Sequence, residues 1–415
     1  MRRRSSVMLT VAGAAALTLV VAQPAFAATR TWTQVGDSNW STATWTGGVP
    51  VAGDDVTFSG GPRSTYDLGN LGLGWLMFPT THEIANGGGA ITLTGGIEVT
   101  GGSTARIEPQ LASSGSQAWF VESGSTLDLP SAVYSDPATF LRLTVDGTMT
   151  VGAGGNLDAG GTGCVEKQGT GVLQLLGGGG GVGTCAGQPK GLLVAAGEVA
   201  VVGTPNLGGK DFAVTGGTFT GGTASGAAVV HELNLAGTGV VSPGPASGAG
   251  IGRVSLWGTS AWTGGTYRVD WDAASNDSDY VYGTGQAISV SGTRLDVRLA
   301  GTPTAGQFVR ILGSDVSYTG QFSSPTGTPL ADGDEFTSNG QVYSLEYIST
   351  GGASGVLLHW LRAAPVVVPP VDPPASPELA HSGAEARWPL AITAFALVGS
   401  GALLVAYRRR VRRAG

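Results

Sequence analysis

Short segments in which apolar and polar residues alternate recur along most of the chain from Ile91 onward. In each segment the apolar side chains occupy every second position, as in Ile91/Leu93, Ile97/Val99, Leu127/Leu129, Leu141/Leu143/Val145 and Leu295/Val297/Leu299. A period of two is typical of strands with one buried face. No segment between residues 30 and 360 keeps the 3.6-residue period of an amphipathic helix. The pattern therefore predicts an all-β protein.

The spacing of these segments favours a solenoid. Strand pairs repeat roughly every 20 residues, separated by glycine-rich dipeptides, and 71 of the 415 residues are glycine. Glycine enters positive-φ turns without steric cost, and stacked coils bury their apolar faces in one long core. We expect a right-handed parallel β-helix of on the order of 12–15 coils. Tandem β-sandwiches, which also contain short alternating strands, are the alternative.

The first 27 residues have the layout of a secretory signal peptide. A basic start is followed by an apolar stretch, and Ala25 and Ala27 occupy the small-residue positions of a cleavage site. We expect cleavage after Ala27, which leaves Ala28 as the mature N-terminus. An uncleaved anchor helix is the alternative.

The C-terminal end contains three segments in a fixed order. Residues 364–378 are rich in proline, which predicts an extended spacer. A short motif, residues 379–383, follows. Residues 384–415 then contain an apolar run at 388–407, long enough to span a bilayer as a helix, and a final arginine cluster that should stay in the cytoplasm.

This tail resembles the cell-wall sorting signal that sortases recognise. Such signals carry Leu-Pro-x-Thr-Gly, and high-GC Gram-positive bacteria, the actinobacteria among them, often use Leu-Ala-x-Thr-Gly. The matching residues here are Leu379, Ala380, His381, Ser382 and Gly383. The resemblance implies cleavage between Ser382 and Gly383 and transfer of the chain to a peptidoglycan amine. Serine replaces the expected threonine and lacks its methyl group, and a plain C-terminal membrane anchor is the alternative. Either outcome displays the protein outside the cell.

Residues 28–363 should form the exposed body, with a cap region at 28–90, repeat coils at 91–240 and closing coils at 241–363. Three parts of the chain resemble the passengers of bacterial autotransporters. Residues 39–50 and 53–58 resemble the N-terminal cap, and residues 165–175 with 192–202 resemble the passenger-associated repeat. Residues 240–244, and then 279–290 through 322, resemble the closing coils. Autotransporters end in an outer-membrane barrel, and this chain ends in a sorting-type tail. The resemblance therefore implies the β-helical body without that transport mechanism.

Charge narrows the range of partners. The formal net charge of the whole chain is −7. Removal of both ends takes away nine of 22 basic residues and one of 29 acidic residues, which leaves a net charge of about −15 on the body. Phosphate would repel such a body, so we expect no nucleic-acid partner.

The two cysteines, Cys164 and Cys185, lie 21 residues apart. In a solenoid one period places two residues on neighbouring coils, about 4.8 Å apart, which suits a disulfide. An exported protein is also in an oxidising environment. We expect a disulfide, with two unpaired thiols as the alternative.

The histidines, His82, His231, His359 and His381, lie far apart in the sequence, so no metal site is expected. Asp270 and Asp272 flank Trp271, and with Trp271 inward both carboxylates would face solvent about 6.6 Å apart, within the range of inverting glycosidases. Simple solvation of an exposed strand is the alternative. The three oxygen-bearing side chains of Asn276, Asp277 and Asp279 could ligate calcium or only form a solvated turn.

Tryptophans offer a second type of site. Trp257, Trp262 and Trp271 could stack on sugar rings or fill the core. Trp40 and Trp45 are expected to cap the first coil.

These observations favour a surface-anchored structural or adhesin-like protein that needs no catalysis and no cofactor. A polysaccharide lyase or hydrolase on a β-helix and a polysaccharide-binding protein are the alternatives. Expected partners are sortase, peptidoglycan, the membrane at residues 388–407, and a glycan or extracellular-matrix ligand.

Overall fold

The structure is a computed structural model that describes residues 27–131, 133–135, 140–152, 157–158, 163–177, 191–203, 206–245, 250–350 and 353–365. These residues form 34 strands and no helix. The predicted signal peptide before Ala27, Cys185, the spacer beyond Pro365, the sorting motif and the membrane span lie outside the described residues. Within the described ranges, no helix is long and apolar enough to cross a membrane.

The strands of the first half are β1 (Thr29–Trp32), β2 (Trp45–Thr46), β3 (Asp55–Phe58), β4 (Arg63–Tyr66), β5 (Leu71–Phe78), β6 (His82–Asn86), β7 (Ala90–Val99), β8 (Thr104–Ile107), β9 (Gln110–Ser113), β10 (Gln117–Val121), β11 (Thr126–Leu129), β12 (Val133–Ser135), β13 (Phe140–Val145), β14 (Thr148–Val151), β15 (Leu157–Asp158), β16 (Cys164–Gln168) and β17 (Val172–Leu175).

The strands of the second half are β18 (Leu192–Val194), β19 (Glu198–Val201), β20 (Asn206–Val214), β21 (Thr218–Gly221), β22 (Ala227–Leu235), β23 (Val240–Pro243), β24 (Arg253–Leu256), β25 (Ser260–Trp262), β26 (Thr266–Asp272), β27 (Asp277–Ser278), β28 (Tyr280–Gly283), β29 (Ile288–Ala300), β30 (Phe308–Ser314), β31 (Tyr318–Ser323), β32 (Glu335–Ser338), β33 (Gln341–Thr350) and β34 (Ala353–Ala363).

Parallel pairing stacks these strands into three faces. Face I runs from β1 through β3, β10, β13, β16, β18 and β25 to β31. Face II runs from β4 through β6, β8, β11, β14, β17, β19, β21 and β23 to β26. Face III contains β9, β12, β15, β24, β28 and β30. The long strands β5, β7, β20, β22 and β29 turn a corner and contribute to two faces.

The predicted parallel β-solenoid is therefore confirmed, and the β-sandwich alternative is wrong because sandwiches are built from antiparallel strands. On face I, including the corner strands, twelve successive parallel pairings link thirteen strands from β1 to β31. The coils lengthen along the chain. Register partners lie 20 residues apart at Leu71 and Ile91 but 28 apart at Tyr267 and Leu295.

Inward side chains of successive coils lie directly above one another. On face II, Leu127, Met149, Leu173 and Val199 occupy the same register position on four neighbouring coils, and each is completely buried. Each apolar side chain therefore packs against the coil before it and the coil after it. In the sequence, these inward positions are the apolar residues that occupy every second position of each strand.

Glycine allows neighbouring coils to approach closely at the corner between faces I and II. A Cβ atom on Gly147 would lie 2.1 Å from the carbonyl oxygen of Ser125, and one on Gly171 would lie 2.0 Å from the carbonyl oxygen of Gly147. Both distances are shorter than a non-bonded contact permits. Any larger residue at this corner would push the coils apart.

Trp40 and Trp45 pack over the start of the core, as expected for a cap. Both are buried, and their rings form an edge-to-face pair with centroids 5.2 Å apart. Trp40 Nε1 donates to Ser64 Oγ at 3.0 Å, and Ser64 Oγ lies 2.9 Å from His82 Nε2. His82 Nδ1 donates to the carbonyl oxygen of Gly61 at 2.7 Å. Burial lowers the pKa of His82 to about 4, so the ring is neutral and Nε2 accepts from Ser64.

The far end is closed by antiparallel strands. β34 pairs with the last strand of face III, β30, and β33 pairs with both β32 and β34. This hairpin covers a strand edge that would otherwise present free backbone groups.

Candidate functional site

Lys167, in the repeat-like segment, points into the solenoid. Its side chain is completely buried, and Nζ, with at most three N–H donors, lies 2.8–3.3 Å from four carbonyl oxygens: those of Val145, Gln168, Gly169 and Ala196. These acceptors belong to three successive coils. Burial lowers the pKa of Lys167 to about 8. The lysine thus ties coil corners together, which is a structural role.

Only one of the two cysteines that are expected to form a disulfide lies within the described residues. Cys164 is buried at the start of β16 and is disulfide-bonded. Cys185 lies outside the described residues. The pairing of these two residues stays a prediction.

The expected pair of solvent-facing carboxylates at Asp270 and Asp272 does not form. Trp271 is buried, as that hypothesis required, but Asp270 is only 6% exposed. The backbone N–H of Gly250 lies over it and donates to Asp270 Oδ2 at 3.3 Å. Asp272 is occupied by its own turn, where it accepts from the N–H of Ala274 and from Ser275 Oγ. The two carboxylates therefore have different surroundings.

A cleft of about 350 Å³ nevertheless borders Asp270, and Gly250, Asp272 and Arg298 are among its other lining residues. Asp270 Oδ1 is buried and has no hydrogen-bond partner among the described residues. Burial raises the pKa of Asp270, and the hydrogen bond from Gly250 and the charge of Arg298 partly offset that shift. The cleft borders Asp270, but the unpaired oxygen of this carboxylate is itself closed to solvent.

The three candidate calcium ligands do not converge either. Asp279 is completely buried and accepts from the backbone N–H groups of Gly252 and Asp270 at 2.8 and 2.9 Å. Asp277 pairs with Arg253 at 3.3 Å. Asn276 Oδ1 accepts from Gln307 Nε2 at 2.8 Å. Each side chain has a separate structural partner.

Among the three C-terminal tryptophans considered for sugar stacking, only Trp257 has a free ring. Trp262 and Trp271 are buried in the core, whereas Trp257 is 52% exposed. Trp257 lies directly after β24, at the corner between faces III and I.

Residues 211, 231 and 232 form a group that the sequence analysis missed. Asp211 Oδ1 lies 2.6 Å from His231 Nδ1, and Glu232 Oε1 lies 4.0 Å from the same nitrogen. Spacing between histidines does not reveal this group, because it contains only one histidine. Asp211 and His231 are 20 residues apart, which is one coil. The coil period applied to the cysteines would have found them.

The other histidines are placed separately. His82 belongs to the N-terminal cap, and His359 Nε2 lies 2.9 Å from Glu346 Oε2 near the C-terminal hairpin. His381 lies outside the described residues, together with the rest of the sorting motif. In the described ranges, residues 211, 231 and 232 are the one group of three metal-ligating side chains close enough to share an ion.

Comparison with known proteins does not assign this chain to a family. No protein-family model and no curated protein matches this chain.

Proposed function

We propose that the protein is a surface-anchored structural or adhesin-like column that works without catalysis. In this account residues 1–27 direct export, the body is a right-handed parallel β-helix, and the tail after residue 363 tethers it to the wall or membrane of a Gram-positive, actinobacterium-like cell. The observation that carries the proposal is the continuous inward column from the tryptophan cap to the closing hairpin. Such a stack suits a spacer because each coil is supported by its neighbours.

The tail supplies the tether. The sorting-type motif at 379–383 precedes the apolar run at 388–407 and the basic end, in the order that export followed by sortase transfer requires. Sortase and peptidoglycan are the proposed partners. The hydroxyl of Ser382 replaces that of threonine in the recognised motif.

Cell fractionation tests the tether. We expect wild-type protein in the wall fraction, and Leu379→Ala protein in the membrane or the medium, because the first motif residue is lost. Leu390→Ala, a substitution outside the motif in the apolar run, is the control and should leave the protein in the wall. Equal wall attachment of wild type and Leu379→Ala would contradict sorting at this motif.

Glycan binding is the second candidate, and the exposed ring of Trp257 favours it. An aromatic face suits the apolar side of a sugar ring. If Trp257 stacks on a sugar, Trp257→Ala should lose glycan-array signals that the wild type shows. Phe308→Ala, at another exposed aromatic residue (48%), should keep them. Unchanged signals in Trp257→Ala would reject this platform, and release of reaction products would indicate an enzyme instead.

A further inference from the structure

One histidine and two carboxylates converge on a corner of the solenoid. Asp211 lies in β20, and His231 and Glu232 lie in β22 on the next coil. Asp211 and Glu232 are direct register partners. One nitrogen and two oxygens of the three side chains all lie within 4.8 Å of one another. Two coils therefore deliver three potential ligands to one point.

The charges favour a cation at this point. Register partners in neighbouring strands are about 4.8 Å apart, and like charges placed so closely destabilise a sheet. Asp211 is only 6% exposed, so water screens its charge poorly. A divalent cation between the two carboxylates would turn this repulsion into attraction.

The donor set indicates which cation. One imidazole nitrogen with two carboxylate oxygens suits zinc and related transition metals, whereas calcium prefers six to eight oxygens. Zinc ligands lie about 2.0–2.2 Å from the ion, so tetrahedral neighbours are about 3.4 Å apart. The observed separations of 2.6 and 4.0 Å lie on either side of that value. Coordination would require the Asp211 oxygen to move away from the histidine nitrogen and the Glu232 oxygen to move toward it.

The surroundings hold two of the ligands in place. A Cβ atom on Gly258 would lie 2.5 Å from Glu232 Cγ and 2.9 Å from His231 Cε1, so the glycine backbone packs directly against both side chains. The side chain of His231 is still 38% exposed, which gives an ion access from solvent. Three protein ligands also leave a fourth position for water or an external ligand.

We propose that Asp211, His231 and Glu232 bind one divalent transition-metal ion of the zinc class, with one open coordination position. The site lies beside Trp257, whose backbone N–H donates to the carbonyl oxygen of His231 at 3.1 Å. Its presence or absence does not decide the proposed surface function.

The test measures zinc binding to the untagged full-length protein after removal of metals by a chelator. Equilibrium dialysis against Zn²⁺ should give a saturable site in the wild type. The His231→Ala variant should bind Zn²⁺ at this site at least about tenfold more weakly, because loss of a residue that only supports a metal ligand typically lowers metal affinity 10–100-fold. Co²⁺ in the same site should give visible absorption that His231→Ala lacks.

His359→Ala is the matched control. His359 also faces a carboxylate at 2.9 Å, that of Glu346, but lies outside the three-ligand group. The His359→Ala variant should bind Zn²⁺ as tightly as the wild type does. Glu232→Gln provides a second test if His231→Ala loses its β-sheet circular dichroism, because the glutamine substitution keeps the shape of the side chain. Absence of saturable binding in the wild type, or equal binding by wild type and a folded His231→Ala or Glu232→Gln variant, would overturn the proposal.

Discussion

At the scale of single residues, the interior of the solenoid contains ionisable groups that serve the fold. Asp279 joins two neighbouring segments through the backbone N–H groups of Gly252 and Asp270. Burial raises the pKa of Asp279 from 3.8 to about 8. The folded protein therefore holds a proton there that the unfolded chain releases above about pH 4.

This shift predicts a pH-dependent stability. The contribution of Asp279 is complete below its unfolded pKa of 3.8 and is lost as the pH rises through about 8. Between pH 5 and pH 8.5 we expect deprotonation of Asp279 to lower the free energy of unfolding by about 4 kcal/mol. Urea denaturation at both pH values should show a smaller decrease in Asp279→Asn, because asparagine resembles the neutral acid.

Asp272→Asn is the control for that experiment. Asp272 is solvated, and hydrogen bonds from Ser275 and Ala274 lower its pKa, so it does not titrate in this range. Its substitution should leave the pH dependence of the wild type unchanged. An equal decrease in wild type and Asp279→Asn would mean that Asp279 is ionised in the folded protein throughout.

The sequence pattern predicted the surroundings of individual polar side chains less well than it predicted the strands. Alternation placed Trp271 in the core, where it lies, and implied that Asp270 faces solvent. In the structure Val269, Asp270 and Trp271 are buried in succession, because the chain at Gly250 crosses over Asp270. The position of such a covering segment depends on the path of another coil and leaves no local signal.

At the scale of the elements, the stacked coil is the unit of stability. Leu173 is in register with Met149 on one side and Val199 on the other, and all three are completely buried. Leu173→Ala would leave a cavity between two coils, and we expect it to lower the free energy of unfolding by about 2–5 kcal/mol. Chemical denaturation followed by circular dichroism measures this change.

The neighbouring Gln174→Ala is the matched control on the same strand. Gln174 is on the outward side, and we expect its substitution to change stability by no more than about 0.5 kcal/mol. Similar losses in the two variants would contradict the assignment of inward and outward positions.

The sequence was most informative about these elements. The period of two identified strands such as β11, β13 and β29 because each inward residue must meet an apolar neighbour in the next coil. It could not show that β29 turns a corner and serves two faces. Nor could it show that coils lengthen toward the C-terminus, since added residues at corners leave the alternation within strands unchanged.

At the scale of the whole molecule, the two ends of the body are closed by different means. Aromatic rings cover the first coil, and an antiparallel hairpin pairs with the last strand of face III. In the sequence, Trp40 and Trp45 predicted the N-terminal cap. Alternation of apolar and polar residues is the same in parallel and antiparallel strands, so the direction of the strands in the closing hairpin was not predictable.

Export followed by tethering is the central claim, and proteolysis of intact cells tests it most directly. Mass spectrometry of the released peptides should recover the body between residues 28 and 363, with Ala28 as its first residue. Recovery of these peptides only after the cells are broken, from a chain that still begins with residues 1–27, would contradict the account.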